Sequence, residues 1–193
     1  MDDARGSVTN WWAYAHQHVL RYRLAVLAPN ARHVVEHAGG WLFDRAMSGW
    51  EVTVALTDVS DVAPLRILGA TVLELEGPLA VPMHHRFPNV LAVDPELLAT
   101  DDRIRVGLLE SLRRGLFEVV LWDQTLPAGF DELAGRKEYE LSVAALAFKR
   151  QALTMVGATI DSLRPTERFR GTADMHKKSV RTTDPVKPPT DRP

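Results

Sequence analysis

The chain has 193 residues, of which 46% are hydrophobic, and its formal net charge is −2. This composition is sufficient for one domain with an apolar core, and the near-neutral charge excludes a strong general attraction to nucleic acid or to an anionic membrane. Without cysteine, the chain forms neither a disulfide nor a cysteine-ligated zinc site. No apolar run reaches about 18 residues, so no membrane span is expected. The first residues lack the basic and then apolar pattern of a secretion signal, so we expect a cytoplasmic protein.

Two helices are predicted at the N-terminal end of the chain. Over residues 10–27, apolar side chains recur at steps of three and four residues, which gathers them on one helical stripe. A second apolar stripe predicts a helix over residues 31–47. This helix contains Gly39-Gly40, and a pair of glycines inside a helix indicates a kink or close packing against a neighbour.

A sheet-forming region is predicted between residues 50 and 123. Runs rich in β-branched residues indicate strands, which lie at residues 50–58, 71–75, 89–94 and 117–123. A short helix is expected between the first two strands, and a longer helix between the last two. The joint from residue 58 to residue 71 is short for a parallel crossover, so an antiparallel hairpin is the competing interpretation. We favour the crossover.

The C-terminal part is predicted to be one long helix followed by a tail. Residues 131–163 carry an apolar seam that includes Leu141 and Phe148. Such a helix would be about 48 Å long, which exceeds the diameter of a small domain and suggests packing on a partner chain. Residues 164–193 hold eight Lys and Arg against four Asp and Glu, with several prolines. This composition predicts a basic, disordered tail.

Together these elements predict a single three-layer α/β domain over residues 1–163. Its N-terminal helices cover residues 10–47, and its mostly parallel sheet of three to four strands is flanked by helices in a Rossmann-like or flavodoxin-like arrangement. If the sheet is parallel, several acids fall at the carboxyl ends of its strands, namely Asp58, Glu74, Asp94 and Asp123. Open α/β sheets bind ligands at that edge. The more common role of such acids is to cap the following helices.

A five-residue pattern suggests a metal site on the second helix. His33-Val34-Val35-Glu36-His37 resembles the H-x-x-E-H motif of inverted zinc metalloproteases. On a helix, His33 and His37 lie one turn apart and could reach one metal ion, while Glu36 could polarise a bound water. Glu110 is the nearest downstream candidate for a third ligand.

Two further groups of residues are candidates for binding. His84 and His85 lie in a proline-bordered loop that could cover the strand edge, although adjacent histidines in a loop are usually only solvated. Trp11 and Trp12 cannot both face inward, and an exposed Trp is favoured at interfaces.

Two functions from different classes are compatible with this sequence, and no motif identifies a cofactor. The preferred hypothesis is a non-catalytic binding or regulatory module that associates with itself or with a protein partner through Trp11, Trp12, Leu141 and Phe148. The alternative is a small metal-dependent or nucleotide-handling enzyme that uses the carboxylates at the strand edge, Asp58 and Asp123, with His84 or His85. A small-molecule ligand fits either hypothesis. A nucleic-acid partner, bound through the basic tail, is not expected.

Overall fold

The structure is a computed structural model that describes residues 22–76, 88–122, 128–130, 133, 135–159 and 163–172. Its strands, in chain order, are β1 (Arg23–Ala28), β2 (Glu51–Leu56), β3 (Thr71–Glu74), β4 (Val90–Val93), β5 (Glu118–Trp122), β6 (Arg136–Glu140) and β7 (Thr166–Gly171). Its helices are α1 (Ala31–Met47), α2 (Ala63–Ile67), α3 (Pro95–Thr100), α4 (Asp102–Arg114) and α5 (Val143–Met155). In the part of the chain so described, no helix is long and apolar enough to cross a membrane.

All seven strands belong to one mostly parallel sheet with the order β3-β2-β1-β4-β5-β7-β6. The first five strands are parallel, whereas β7 runs antiparallel to both β5 and β6. The expected three-layer architecture is confirmed, but the sheet has more strands than the predicted three to four. Its parallel part follows the 3-2-1-4-5 order of Rossmann-like sheets. The joint between β2 and β3 is a crossover, as favoured, because Thr53 pairs with Thr71 in parallel register.

The two faces of the sheet carry separate apolar layers. Helices α1, α2 and α5 pack on one face, where the core contains Trp41, Trp50 and Trp122. Helices α3 and α4 pack on the other face through Leu98 and Leu108. Both layers are required because the central strands present apolar side chains to each side of the sheet.

The first predicted helix, over residues 10–27, is wrong for the residues that the structure describes. Arg23–Ala28 form β1, in which buried and partly exposed side chains alternate. A short apolar run satisfies a helical stripe as well as a strand, so periodicity alone could not decide between them. The rest of that segment, including Trp11 and Trp12, lies outside the described residues.

The predicted long helix over residues 131–163 is also wrong. Within this range Arg136–Glu140 form the edge strand β6, and α5 begins only after Ser142, whose hydroxyl accepts a hydrogen bond from Ala145 N at 3.0 Å. Gly157, with φ of +66°, follows the end of α5 in the left-handed region. The tail predicted from residue 164 begins too early, because Thr166–Gly171 form β7, which lies between β5 and β6 in the sheet.

The glycine pair of α1 allows close packing. A Cβ built on Gly40 would lie 2.5 Å from Leu141 Cδ1, and one on Gly39 would lie 3.3 Å from Leu68 Cδ1. Leu141 itself is only 7% exposed. Its predicted role as an interface residue is therefore wrong, because its side chain is used within the domain core.

Candidate active site

The site lies where the strand order reverses, between β1 and β4. The chain leaves β1 into α1 and leaves β4 into α3, in the same parallel direction but on opposite faces of the sheet. A crevice between such diverging connections is the usual ligand position in open α/β sheets. It brings His33, in the first turn of α1, against Asp94, which caps α3.

Local backbone chemistry holds both side chains in place. Asn30 caps α1 and accepts a hydrogen bond from His33 N at 3.1 Å. Asp94 caps α3 because its Oδ1 accepts from Glu96 N at 2.9 Å. Each cap satisfies a backbone donor that the helix leaves unpaired. Asp94 therefore has a capping role, but its second carboxylate oxygen remains for other partners.

The second oxygen of Asp94 is the centre of the site. His33 Nδ1 lies 2.9 Å from Asp94 Oδ2 and 3.6 Å from Glu96 Oε2. Trp122 Nε1 donates to the same Asp94 oxygen at 3.1 Å. Asp94 is 0% exposed, and a buried carboxylate is tolerated only when it has such partners. Glu96 and His33 are more open, so the site faces solvent from one side.

The donor atoms of His33, Asp94 and Glu96 fit a divalent cation. They lie within 4.8 Å of one another and form the one such group among the residues that the structure describes. Histidine nitrogens and carboxylate oxygens are both zinc ligands, and a catalytic zinc has three protein ligands and leaves its fourth position to water. The Trp122 and Glu96 N–H groups would orient Asp94 as an outer shell orients a ligand. With Nδ1 protonated, the same geometry is instead a hydrogen-bonded Asp–His pair.

A second histidine connects this group to a large cleft. His37 lies one turn along α1, with its ring centroid 6.3 Å from that of His33 and 6.4 Å from that of Trp122. Burial lowers the pKa of His37, an effect that Asp94 and Glu36 oppose. The imidazole is therefore neutral near pH 7 and has a basic nitrogen. His37 also lines a cleft of about 770 Å³ between α1, α5 and the start of β7.

A buried ion pair forms one wall of the cleft. Lys149 Nζ donates to Glu167 Oε1 at 2.6 Å and to Glu36 O at 2.8 Å. Glu167 also accepts from the backbone N–H groups of Gly40 and Trp41, at 2.9 and 2.8 Å. Burial raises the pKa of Glu167, and Lys149 opposes that rise. The pair joins α5 and β7 to the backbone of α1 at Glu36, Gly40 and Trp41, on both sides of His37.

The predicted edge carboxylates are only partly brought to this site. Asp58 is exposed and follows β2, where its Oδ1 accepts from Ser60 N at 2.9 Å, and this bond lowers its pKa. It does not belong to the group around Asp94. Asp123, His84 and His85 lie outside the described residues, so their part in the site stays a prediction.

The H-x-x-E-H interpretation fits only in part. His33 does lie in a possible metal group, but its companions are Asp94 and Glu96. Glu36 pairs with Arg32 Nε at 2.8 Å, and Glu110 pairs with Arg114 Nε at 2.7 Å. The helical stripe of residues 33–37 thus contributes one candidate ligand and one neighbouring imidazole.

Four residues of the site and its wall were not predicted to act there, namely Glu96, Trp122, Lys149 and Glu167. A signal existed for two of them. Asp94-Pro95-Glu96 follows a strand directly, in the order of a helix cap, and Lys149 interrupts the apolar face that Ala145 and Ala152 form. Of the predicted seam, Leu141, Ala145 and Ala152 are buried, whereas Phe148 is half exposed and stacks on Phe43.

Solved structures share this fold over almost their whole length. The A40926 pseudoaglycone deacetylase is 15% identical, with a TM-score of 0.58, and the match covers 78% of this chain and 97% of that one. A deacetylase in complex with teicoplanin is 14% identical, with a TM-score of 0.56 and coverages of 77% and 97%. The N,N'-diacetylchitobiose deacetylase of Pyrococcus horikoshii is 12% identical, with a TM-score of 0.50 and coverages of 89% and 94%. No protein-family model and no curated protein sequence matches the chain.

These comparisons correct the preferred functional hypothesis. A non-catalytic module was predicted because no catalytic motif is evident, yet several solved structures that share the fold are deacetylases. The enzyme alternative, with carboxylates at the carboxyl edge of the sheet, agrees better with them. At 12 to 15% identity the likeness shows the architecture, so the chain has the fold of these deacetylases.

Proposed function

We propose that the chain is a metal-dependent hydrolase that removes an acetyl group from the nitrogen of an amino sugar. The observation that carries this proposal is the convergence of His33, Asp94 and Glu96 at the switch point of the sheet. The reaction class is suggested by the deacetylases that share the fold, among them an N,N'-diacetylchitobiose deacetylase and a deacetylase in complex with teicoplanin. The cleft beside His37 has room for a sugar of this kind.

Three residues would hold the cation. His33 Nδ1, Asp94 Oδ2 and Glu96 Oε2 would bind it, and their mutual spacing of 2.9 and 3.6 Å suits a shared partner. A cation bound there would polarise the amide carbonyl and lower the pKa of a bound water. Asp94 keeps one oxygen on the Glu96 backbone amide, so its carboxylate cannot rotate away.

His37 has the position of a general base and acid. Its neutral ring can accept the proton that water loses on adding to the amide carbonyl, and can return that proton to the amine as the C–N bond breaks. Stacking on Trp122 fixes the ring plane. The products would be acetate and the free amino sugar. A nucleotide substrate is less favoured because Ala28-Pro29-Asn30-Ala31, between β1 and α1, lacks the glycine-rich turn that binds a pyrophosphate.

The test is release of acetate from N,N'-diacetylchitobiose after loading with Zn²⁺, Mn²⁺, Co²⁺ or Mg²⁺ in separate reactions. The wild-type chain should release acetate with at least one of these ions, and His33→Ala and Asp94→Asn should lower the rate at least a hundredfold. Asp58→Asn is the matched control, because Asp58 lies at the same sheet edge but outside the group. If Asp94→Asn is as active as the wild-type chain, the proposed site is wrong.

A further inference from the structure

The cleft beside His37 has an unbalanced charge. Its lining includes two acids, Glu36 and Glu167, and three bases, Lys149, Arg164 and Arg168. Both acids are already neutralised, since Arg32 pairs with Glu36 and Lys149 pairs with Glu167. Arg168 pairs in turn with Glu138, so Arg164 is the one cation of this lining without a carboxylate partner among the residues that the structure describes.

Arg168 and Arg164 differ in their ion pairing. Arg168 Nε lies 3.1 Å from Glu138 Oε1, and both side chains are more than 60% exposed, at 68% and 62%. An exposed pair of this kind contributes little and is readily exchanged for another anion. Arg164 is exposed, and among residues 22–76, 88–122, 128–130, 133, 135–159 and 163–172 no carboxylate lies within ion-pair distance of it.

Arg164 is an exposed residue of the cleft lining. It directly precedes Pro165, whose carbonyl accepts from Leu141 N at 2.9 Å, and this bond ties the segment to the start of α5. The backbone at the arginine is thus anchored while its guanidinium stays open to solvent. A guanidinium offers paired N–H donors whose geometry matches a carboxylate or a phosphate.

We propose that the cleft binds a substrate that carries an acidic group, a carboxylate or a phosphate, and that Arg164 is the residue that recognises it. This inference rests on the proposed function, because it names the class of acetylated sugar that the same site would accept. Arg168 supports the binding through its charge at the same rim.

The experiment compares three probes that differ only at C6: N-acetylglucosamine, its 6-phosphate, and N-acetylglucosaminuronic acid, which carries a carboxylate there. Dissociation constants are measured by calorimetry with the His33→Ala chain, in which turnover is prevented. At least one acidic probe should bind about tenfold more tightly than the neutral one, the gain expected from a charge-assisted contact. The preferred acidic probe distinguishes a carboxylate from a phosphate ligand.

Substitutions then test the residue. Arg164→Ala should abolish the preference for acidic probes, and Arg164→Lys should retain part of it, because the charge remains but the paired donors are lost. Arg66→Ala, an exposed arginine on α2 away from the cleft, is the matched control and should change nothing. Equal affinity for neutral and acidic probes, no binding of any probe, or a preference that survives Arg164→Ala overturns the inference.

The outcomes separate this inference from the proposed function. An Arg164-dependent preference without acetate release by the wild-type chain would leave the anion site standing and remove the deacetylase proposal. Acetate release from neutral sugars, with no preference for acidic ones, would leave the deacetylase proposal standing and remove the anion site.

Discussion

Substitution of Lys149 by Met tests whether the buried ion pair with Glu167 holds α1 in place. The change removes two hydrogen bonds that Lys149 Nζ donates, one to the Glu167 carboxylate and one to the Glu36 carbonyl. A hydrogen bond to a charged group contributes about 1.5–3 kcal/mol, and an unsatisfied buried carbonyl costs about 1–3 kcal/mol. Because Glu167 is 3% exposed, it is left as a buried charge without a cation. We therefore expect a loss of about 3–5 kcal/mol.

The assay is urea unfolding at pH 7 and 25 °C, followed by tryptophan fluorescence. The expected loss is a large share of a typical stability of about 5–15 kcal/mol, so the midpoint should fall clearly. Arg150→Met, on the exposed side of the same helix, is the matched control and should change stability by less than about 0.5 kcal/mol. The double variant Lys149→Met with Glu167→Gln should recover part of the loss, because no net charge then remains buried. A loss below about 1 kcal/mol for Lys149→Met would refute this reasoning.

Three further predictions concern α1, the site and α4. Gly40→Ala should lower the free energy of unfolding by about 1–3 kcal/mol, measured with urea, because the new methyl group meets the side chain of Leu141. Gly107→Ala, with open space on α4, should leave it unchanged or raise it by up to about 1 kcal/mol. Equal effects of the two substitutions would contradict this packing. Trp122→Phe removes a donor to Asp94 and should weaken cation affinity about tenfold or more in a calorimetric titration, so unchanged affinity would exclude that role. Asp101 caps α4, and its hydrogen bond with Arg103 lowers its pKa to about 2. The stability that Asp101 contributes should therefore be present above pH 4 and disappear as the pH falls towards 2. In acid unfolding, Asp101→Asn should lack this pH-dependent part of the stability.

The layered fold could be predicted because its signals are local. The run from residue 31 to residue 47 has a helical stripe, and Gly115 ends α4 with φ of +60° in the left-handed region, as its position after an apolar stripe suggests. The strand at residues 117–123 was evident from its β-branched residues. These elements were found within a few residues of their observed bounds.

The errors arose where one sequence pattern satisfies two structures. The strand β1 continues an apolar stripe, so it was assigned to a helix, although its partners β2 and β4 pair with it from 28 and 66 residues away. The segment from residue 136 to residue 171 reads as a helix and a tail, but β6 and β7 pair with each other and close the sheet. Such pairing depends on tertiary contacts that local propensity does not contain.

The site could be predicted only as separate parts. The helical spacing of His33 to His37 and the place of Asp94 after a strand are local signals, but the two residues are 61 positions apart and meet because β1 and β4 are neighbours. No local pattern in the sequence specifies that β1 and β4 are adjacent. Lys149 and Glu167 are joined in the same way, from α5 and β7.

The most direct test of the account is a crystal structure of the zinc-loaded chain with data collected at the zinc absorption edge. One anomalous peak is expected at about 2 Å from His33 Nδ1, Asp94 Oδ2 and Glu96 Oε2. The peak should disappear in Asp94→Asn crystals. A peak elsewhere in the chain, or an empty crevice between β1 and β4 at saturating zinc, would contradict the central claim that these three residues form a metal-dependent active site.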